Sequence, residues 1–162
     1  MSSGAMAGLI VALVAVAQPA AAAEPGAADK LPRFASLRSD EVNMRVGPGE
    51  NYPIEWVLKR KDMPVEVLRA FQNWRQIRDW QGAEGWVYDR MLGPKRWVIV
   101  KDAIRALHRR PDAGSTVVAR AEPGVVARLG ECQASWCRIE AGNVTGWVER
   151  NQIWGVLPDE TP

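Results

Sequence analysis

The chain has 162 residues, 47% hydrophobic and 25% charged, a balance that suits one globular domain or two small ones and excludes disorder as its main state. The 21 Lys and Arg and the 19 Asp and Glu are spread along the length and leave a formal net charge of +2, so no broad field collects a polyanion and nucleic acid is not expected as a partner. What the composition leaves to explain is eight Trp and a close pair of Cys.

From the N-terminus, the apolar run "AMAGLIVALVAVA" is interrupted at Gln18 and Pro19 and followed by small residues ending at Ala21-Ala22-Ala23 before Glu24. This pattern reads as a secretory signal peptide over residues 1–23, although the leading "MSSGAM" carries no Lys or Arg. The apolar core is shorter than the roughly 20 residues that a spanning helix needs. The expectation is therefore a chain that does not span the membrane after cleavage and works in the oxidising bacterial periplasm. Residues 24–37, rich in Ala and Pro with scattered charge, read as a mobile linker.

Beyond the linker the chain repeats itself. Pro48 matches Pro111, Trp74 matches Trp136, Ile77 matches Ile139, and Gly85-Trp86-Val87 matches Gly146-Trp147-Val148. The offset drifts by one or two residues, as loops of a duplicated domain do. Within each copy, stretches such as "PVEVLRA", "WRQIRDW", "VVARLG" and "WCRIEA" alternate apolar with polar side chains between Gly, Pro, Asn and Asp, the pattern of half-buried antiparallel strands. Two small all-β units follow, over residues 38–96 and 97–157, with 158–162 as a tail. Five or so short strands in so few residues bury a modest core, and curling each sheet into a barrel removes its edges.

"VNMRVGPGENYP", the "NWRQI" hairpin arm and "GAEGWVYDRML" resemble the bacterial SH3-like domain family, and "ALHRRPDAGS", "SWCRI" and "GNVTGWVERNQI" resemble a second, more divergent member. In the second unit "HRRPD" replaces "RVGPG", so its long loop is expected to take a different shape. The resemblance implies two tandem SH3-like barrels, extended peptides as ligands, and most often cell-wall peptidoglycan.

Trp86, Trp147, Trp74 and Trp136 lie on strands or beside hairpin turns, where a large aromatic usually buries area, so core or barrel wall is the first reading for each. Tyr52, Trp56, Trp80 and Tyr88 differ: the second unit has Ser115, Ala119, Ala141 or Gly142, and Glu149 at the nearest positions. By resemblance these four are the candidate ligand-binding groove of the first unit; packing between the two units is the competing reading. Glu50, Glu55, Asp79, Glu84 and Asp89 lie near them and offer an acidic rim.

Cys132 and Cys137 flank "QASW" at a hairpin tip, aligned with Phe71 and Arg75 of the first unit. Residues facing across a hairpin are within reach of a disulfide, and export favours oxidation. Four intervening residues disfavour a redox pair, and two Cys with a distant His108 are too few for a metal site. His108 reads as a solvated residue of the long loop. No catalytic constellation, cofactor motif or metal cluster is recognisable, and a wall-cleaving peptidase domain would need its own hundred or so residues with Cys and His. The sequence reading is a non-catalytic exported module that binds cell-wall peptidoglycan peptide. The alternatives are an adaptor holding an extended segment of an envelope protein, and a structural or sensory spacer.

Overall fold

The computed structural model describes residues 30–162. The signal-peptide reading of residues 1–23 and the first part of the linker lie outside the described residues. The first unit comprises β1 (Arg33–Leu37), β2 (Glu41–Arg45), β3 (Ile54–Lys59), β4 (Pro64–Phe71), β5 (Trp74–Arg78), β6 (Glu84–Tyr88) and β7 (Leu92–Gly93). The second comprises β8 (Trp97–Val100), β9 (Arg105–His108), β10 (Val117–Ala121), β11 (Val126–Gln133), β12 (Trp136–Ala141), β13 (Val144–Glu149) and β14 (Ile153–Trp154). A 3-10 turn leads into the last strand of each, at Asp89–Met91 and Arg150–Gln152.

Each sheet has seven strands rather than about five, and the two orders are the same: β3-β2-β6-β5-β4-β1-β7 and β10-β9-β13-β12-β11-β8-β14. All pairings are antiparallel. Among the described residues no helix is long and apolar enough to cross a membrane. The mobile-linker expectation fails at its C-terminal end, because Arg33–Leu37 is strand β1, with Phe34 to Leu37 buried. Its apolar residues pair with β4 and β7, a partnership that a polar-looking flank does not announce.

The cores repeat position by position. Ala35, Leu37, Met44, Val67, Ile77, Val87 and Leu92 of the first have Val98, Val100, Leu107, Leu129, Ile139, Val148 and Ile153 as counterparts in the second. The alternation is visible in β2, where Val42 and Met44 are buried and Glu41 and Asn43 exposed. Strand β5 breaks it, burying both Trp74 and Ile77 three residues apart, so they take opposite faces of the strand.

The glycine of Gly-Trp-Val has a steric cause. A Cβ on Gly85 would stand 2.5 Å from Met44 Cγ and 2.9 Å from the Arg45 carbonyl, and one on Gly146 would stand 2.7 Å from Leu107 Cβ. These are the places where β2 crosses β6 and β9 crosses β13, each through one registered pair, Arg45 with Trp86 and His108 with Trp147. Only a residue without a side chain lets the strands meet.

Cys132 and Cys137 face each other across the β11–β12 hairpin and form a disulfide, with Cα atoms 4.0 Å apart. Their structural counterparts are Ala70 and Arg75, which also pair directly, so the alignment with Phe71 was one residue out. Phe71 instead pairs with Trp74, as Gln133 pairs with Trp136.

The two units touch through Phe34 and Trp154, whose rings meet edge to face at 4.9 Å, and through Arg60 Nη1, which donates to the Gly124 carbonyl at 3.2 Å. Arg96 pairs with Glu160 and donates to the Gly155 carbonyl at 2.7 Å, tying the segment after β14 back to the joint.

Gly85→Ala and Gly146→Ala are each expected to destabilise the chain by about 1–3 kcal/mol through overpacking at the crossing, read as a lower urea midpoint at unchanged slope. Reducing the disulfide, which closes a short loop, is expected to cost about 2 kcal/mol, read by thermal melts with and without reductant.

Candidate functional site

Of the four aromatics singled out from the sequence, two share a groove. Trp56 projects from edge strand β3 and Trp80 from the β5–β6 loop, and both line a cavity of about 250 Å³. Leu37, Met63 and Val65 lie beneath them. Trp56 is 55% exposed and Trp80 40%, so neither is a core residue. Competing packing between the units falls to Phe34 and Trp154 instead.

The loop that carries Trp80 is built on Asp79. Its Oδ1 accepts from the Gln81 and Ala83 backbone N–H groups at 2.9 and 2.8 Å, and Gly82 takes φ +91°. A side-chain-closed turn of this kind holds its tip without helix or sheet support. The second unit has a shorter turn, Ala141 pairing with Val144 around Gly142 and Asn143, and Ala119 on the edge strand. Both aromatic walls are therefore particular to the first unit.

Tyr52 and Tyr88 have other neighbours. Tyr52 lies in the β2–β3 loop with its ring against Gly47, where a Cβ would collide with it, and Gly49, where one would sit 3.2 Å away. Arg45 Nη1 donates to the Tyr52 carbonyl at 2.7 Å. The glycines of the Arg-x-Gly-Pro-Gly turn thus leave room for the Tyr52 ring. In the second unit His108 takes the part of Arg45: its Nδ1 lies 3.0 Å from the Ser115 carbonyl and, since a carbonyl only accepts, donates to it. His108 is consequently not a solvated loop residue; it ends strand β9, half-buried, with its ring edge-to-face on Trp136 at 5.3 Å.

Tyr88 is at the far end of β6 from Trp80, four residues from Glu84 and so about 13 Å along the strand. It packs edge-to-face on Trp74 at 5.4 Å and lies under the Arg90 guanidinium, 4.8 Å from the ring centre. Trp74 and Trp147 are buried, while Trp86 and Trp136 are half-buried on the barrel wall.

Two of the five acidic rim residues, Glu84 and Asp89, are engaged by arginines. Glu84 accepts from Arg78 at 2.9 and 2.7 Å, Glu66 meets the same guanidinium at 3.2 Å, and Asp89 lies 3.7 Å from Arg75. The Glu84 hydrogen bond raises the Arg78 pKa above its ordinary value. At the groove itself one carboxylate, Asp79, faces one amine, Lys59. Its polar edge therefore carries both signs, which suits the mixed ends and side chains of a peptide better than a purely basic ligand. The apolar floor was missed from sequence; Asp79 was named there as an acidic rim residue, but not as the residue that closes the turn carrying Trp80.

Two seven-stranded barrels of one topology, each with a long loop between its second and third strands (β2–β3 and β9–β10) and the glycine-mediated crossing, define a tandem β-barrel protein of SH3-like design. The chain belongs to the bacterial SH3 domain family, whose model matches residues 38–94 and again 101–155. A Bacillus subtilis protein described as "Putative N-acetylmuramoyl-L-alanine amidase YrvJ" is 25% identical over 130 residues, which cover 74% of this chain and 25% of that protein. The chain thus spans about a quarter of that relative's length. Two solved structures, NlpC2 and NlpC1 from Trichomonas vaginalis, are each 12% identical over 81% of this chain, covering 51% and 48% of theirs with TM-scores of 0.37 and 0.36.

Trp56→Ala and Trp80→Ala are expected to change stability by less than about 0.5 kcal/mol. Trp74→Ala is expected to cost about 3–5 kcal/mol, and urea unfolding of the three variants checks the contrast.

Proposed function

We propose that this protein is a non-catalytic, exported binding module that recognises the peptide part of cell-wall peptidoglycan through the groove between Trp56 and Trp80. The observation that carries this reading is a pair of half-exposed indoles over an apolar floor, present in the first unit and replaced in the second by Ala119 and Gly142. Exposed tryptophans that do nothing for the core usually mark an interaction surface, since a flat apolar face buries area at small entropic cost. The volume of about 250 Å³ accommodates one or two residues of an extended chain rather than an enclosed small molecule.

The class of ligand is supported by membership of the bacterial SH3 domain family and by a relative whose name places it among wall amidases. The apolar N-terminal run and the disulfide support export. Tyr52 enters this reading as the residue that shapes the neighbouring loop, and Tyr88 drops out of the groove because it sits at the other end of β6. The oppositely charged Asp79 and Lys59 provide the polar contacts that orient a zwitterionic peptide end.

Co-sedimentation of residues 24–162 with purified insoluble peptidoglycan over a salt series tests the reading. Salt-resistant pelleting that is lost in the Trp56→Ala/Trp80→Ala double variant, with its melting temperature unchanged, is the expected result. Pelleting that disappears equally in both proteins at modest salt would sink it and favour an adaptor for an envelope protein.

A further inference from the structure

At the end of the first barrel away from Trp80, a cavity of about 560 Å³ is lined by Arg33, Arg38, Arg75, Arg90 and Arg96 against one carboxylate, Asp89. Phe34, Leu92 and Pro94 complete an apolar side. Two of the five cations have carboxylate partners: Arg75 with Asp89 at 3.7 Å, and Arg96 with Glu160. Arg33, Arg38 and Arg90 form no ion pair among the described residues. Arg33 Nε and Arg96 Nε are buried without a hydrogen-bond partner there.

Like charges gathered in one concavity repel, and the repulsion grows where apolar walls exclude water. Burial first and the Arg33 charge second hold the Arg96 guanidinium down at about 10.

The corresponding end of the second barrel shows the contrast. There Cys137 stands for Arg75, and Arg150 stands for Asp89. Arg150 spends its two Nη groups internally, donating to the Leu157 and Glu160 carbonyls at 2.7 and 2.8 Å and to the Ala134 carbonyl at 3.2 Å, although its Nε is buried without a partner like those of Arg33 and Arg96. The second unit covers its guanidinium with the chain's own C-terminal segment. The first unit keeps three unpaired ones around an open cavity.

From this we infer that the arginine-lined cavity is an anion site for a phosphate group, most suitably a phosphate ester whose organic part lies on Phe34, Leu92 and Pro94. A carboxylate brings one charge and two oxygens. A phosphate monoester brings about −1.5 to −2 charges and three acceptor oxygens, a closer match to three free guanidinium forks. The cavity is larger than a bare phosphate needs, which leaves room for the ester.

The test is a calorimetric titration of the full chain with inorganic phosphate at constant ionic strength, beside the Arg33→Gln/Arg90→Gln double variant. Saturable binding weakened at least about tenfold in the variant is expected. No saturable heat, or equal binding by both proteins, overturns the site. Should the double variant unfold, Arg38→Gln, on an exposed side chain, serves in its place under the same criteria. A second arm separates the sources of phosphate: vesicles containing phosphatidic acid, whose head group is itself a phosphate monoester, against vesicles of phosphatidylcholine alone. Retention on the former alone, lost in the variant, assigns a lipid head group; phosphate binding without retention assigns a soluble ester.

Discussion

Each barrel depends on one backbone crossing, β2 over β6 at Gly85 and β9 over β13 at Gly146. Without it the sheet has no reason to fold its N-terminal hairpin back on its centre, because β2 meets β6 through a single registered pair. A side chain at the glycine would push Met44 or Leu107 out of the core, and these are among the most buried residues in either unit. The crossing also carries β3 and the long loop with it. The groove between Trp56 and Trp80 is a consequence: edge strand and loop are brought to one end of the barrel by a contact on the far side of β2.

A shared frame then frees the rest of the surface to diverge. Inward positions are conserved in type between the two units, from Leu37 and Val100 to Leu92 and Ile153. Outward and terminal positions are not. At the hairpin tip the first unit has Ala70 and Arg75 where the second has a disulfide; at the loop root Arg45 and His108 do one job, holding a carbonyl, with different chemistry. The arginine cluster and the tryptophan groove occupy opposite ends of the first barrel, so each can be altered without touching the other. The interface through Phe34 and Trp154 leaves the tryptophan groove untouched, whereas Phe34 and Arg96 belong both to the joint and to the arginine cavity.

Much of this could be read along the chain. Alternation in β2, β4 and β13, turn residues between them, and the repeated Trp-x-x-Ile and Gly-Trp-Val gave the strands, the duplication and the hairpin disulfide. Strand β1 escaped because it sits beside a Pro- and Ala-rich flank and is stabilised by β4, thirty residues on, a partnership with no local signal. Of the four aromatics singled out from the sequence, Trp56 and Trp80 line one cavity and Tyr52 and Tyr88 do not. Tyr52 and Tyr88 carry the same composition signal as the tryptophans, and aromatic identity cannot say whether a ring faces a glycine, another ring or open solvent.

By itself, then, the sequence determined what depends on neighbours in the chain: period-two strands, turn positions, the doubled unit and the cysteines facing across a two-residue turn. Only tertiary structure decided what depends on residues far apart in sequence. It set which glycine admits a crossing strand, which carboxylates are already claimed by arginines, which two aromatics share a floor, and where five guanidiniums from β1, the β1–β2 turn, β5 and the β6–β8 segment converge. Local pattern specifies direction along a strand; the closure of a barrel alone specifies which strand ends become neighbours.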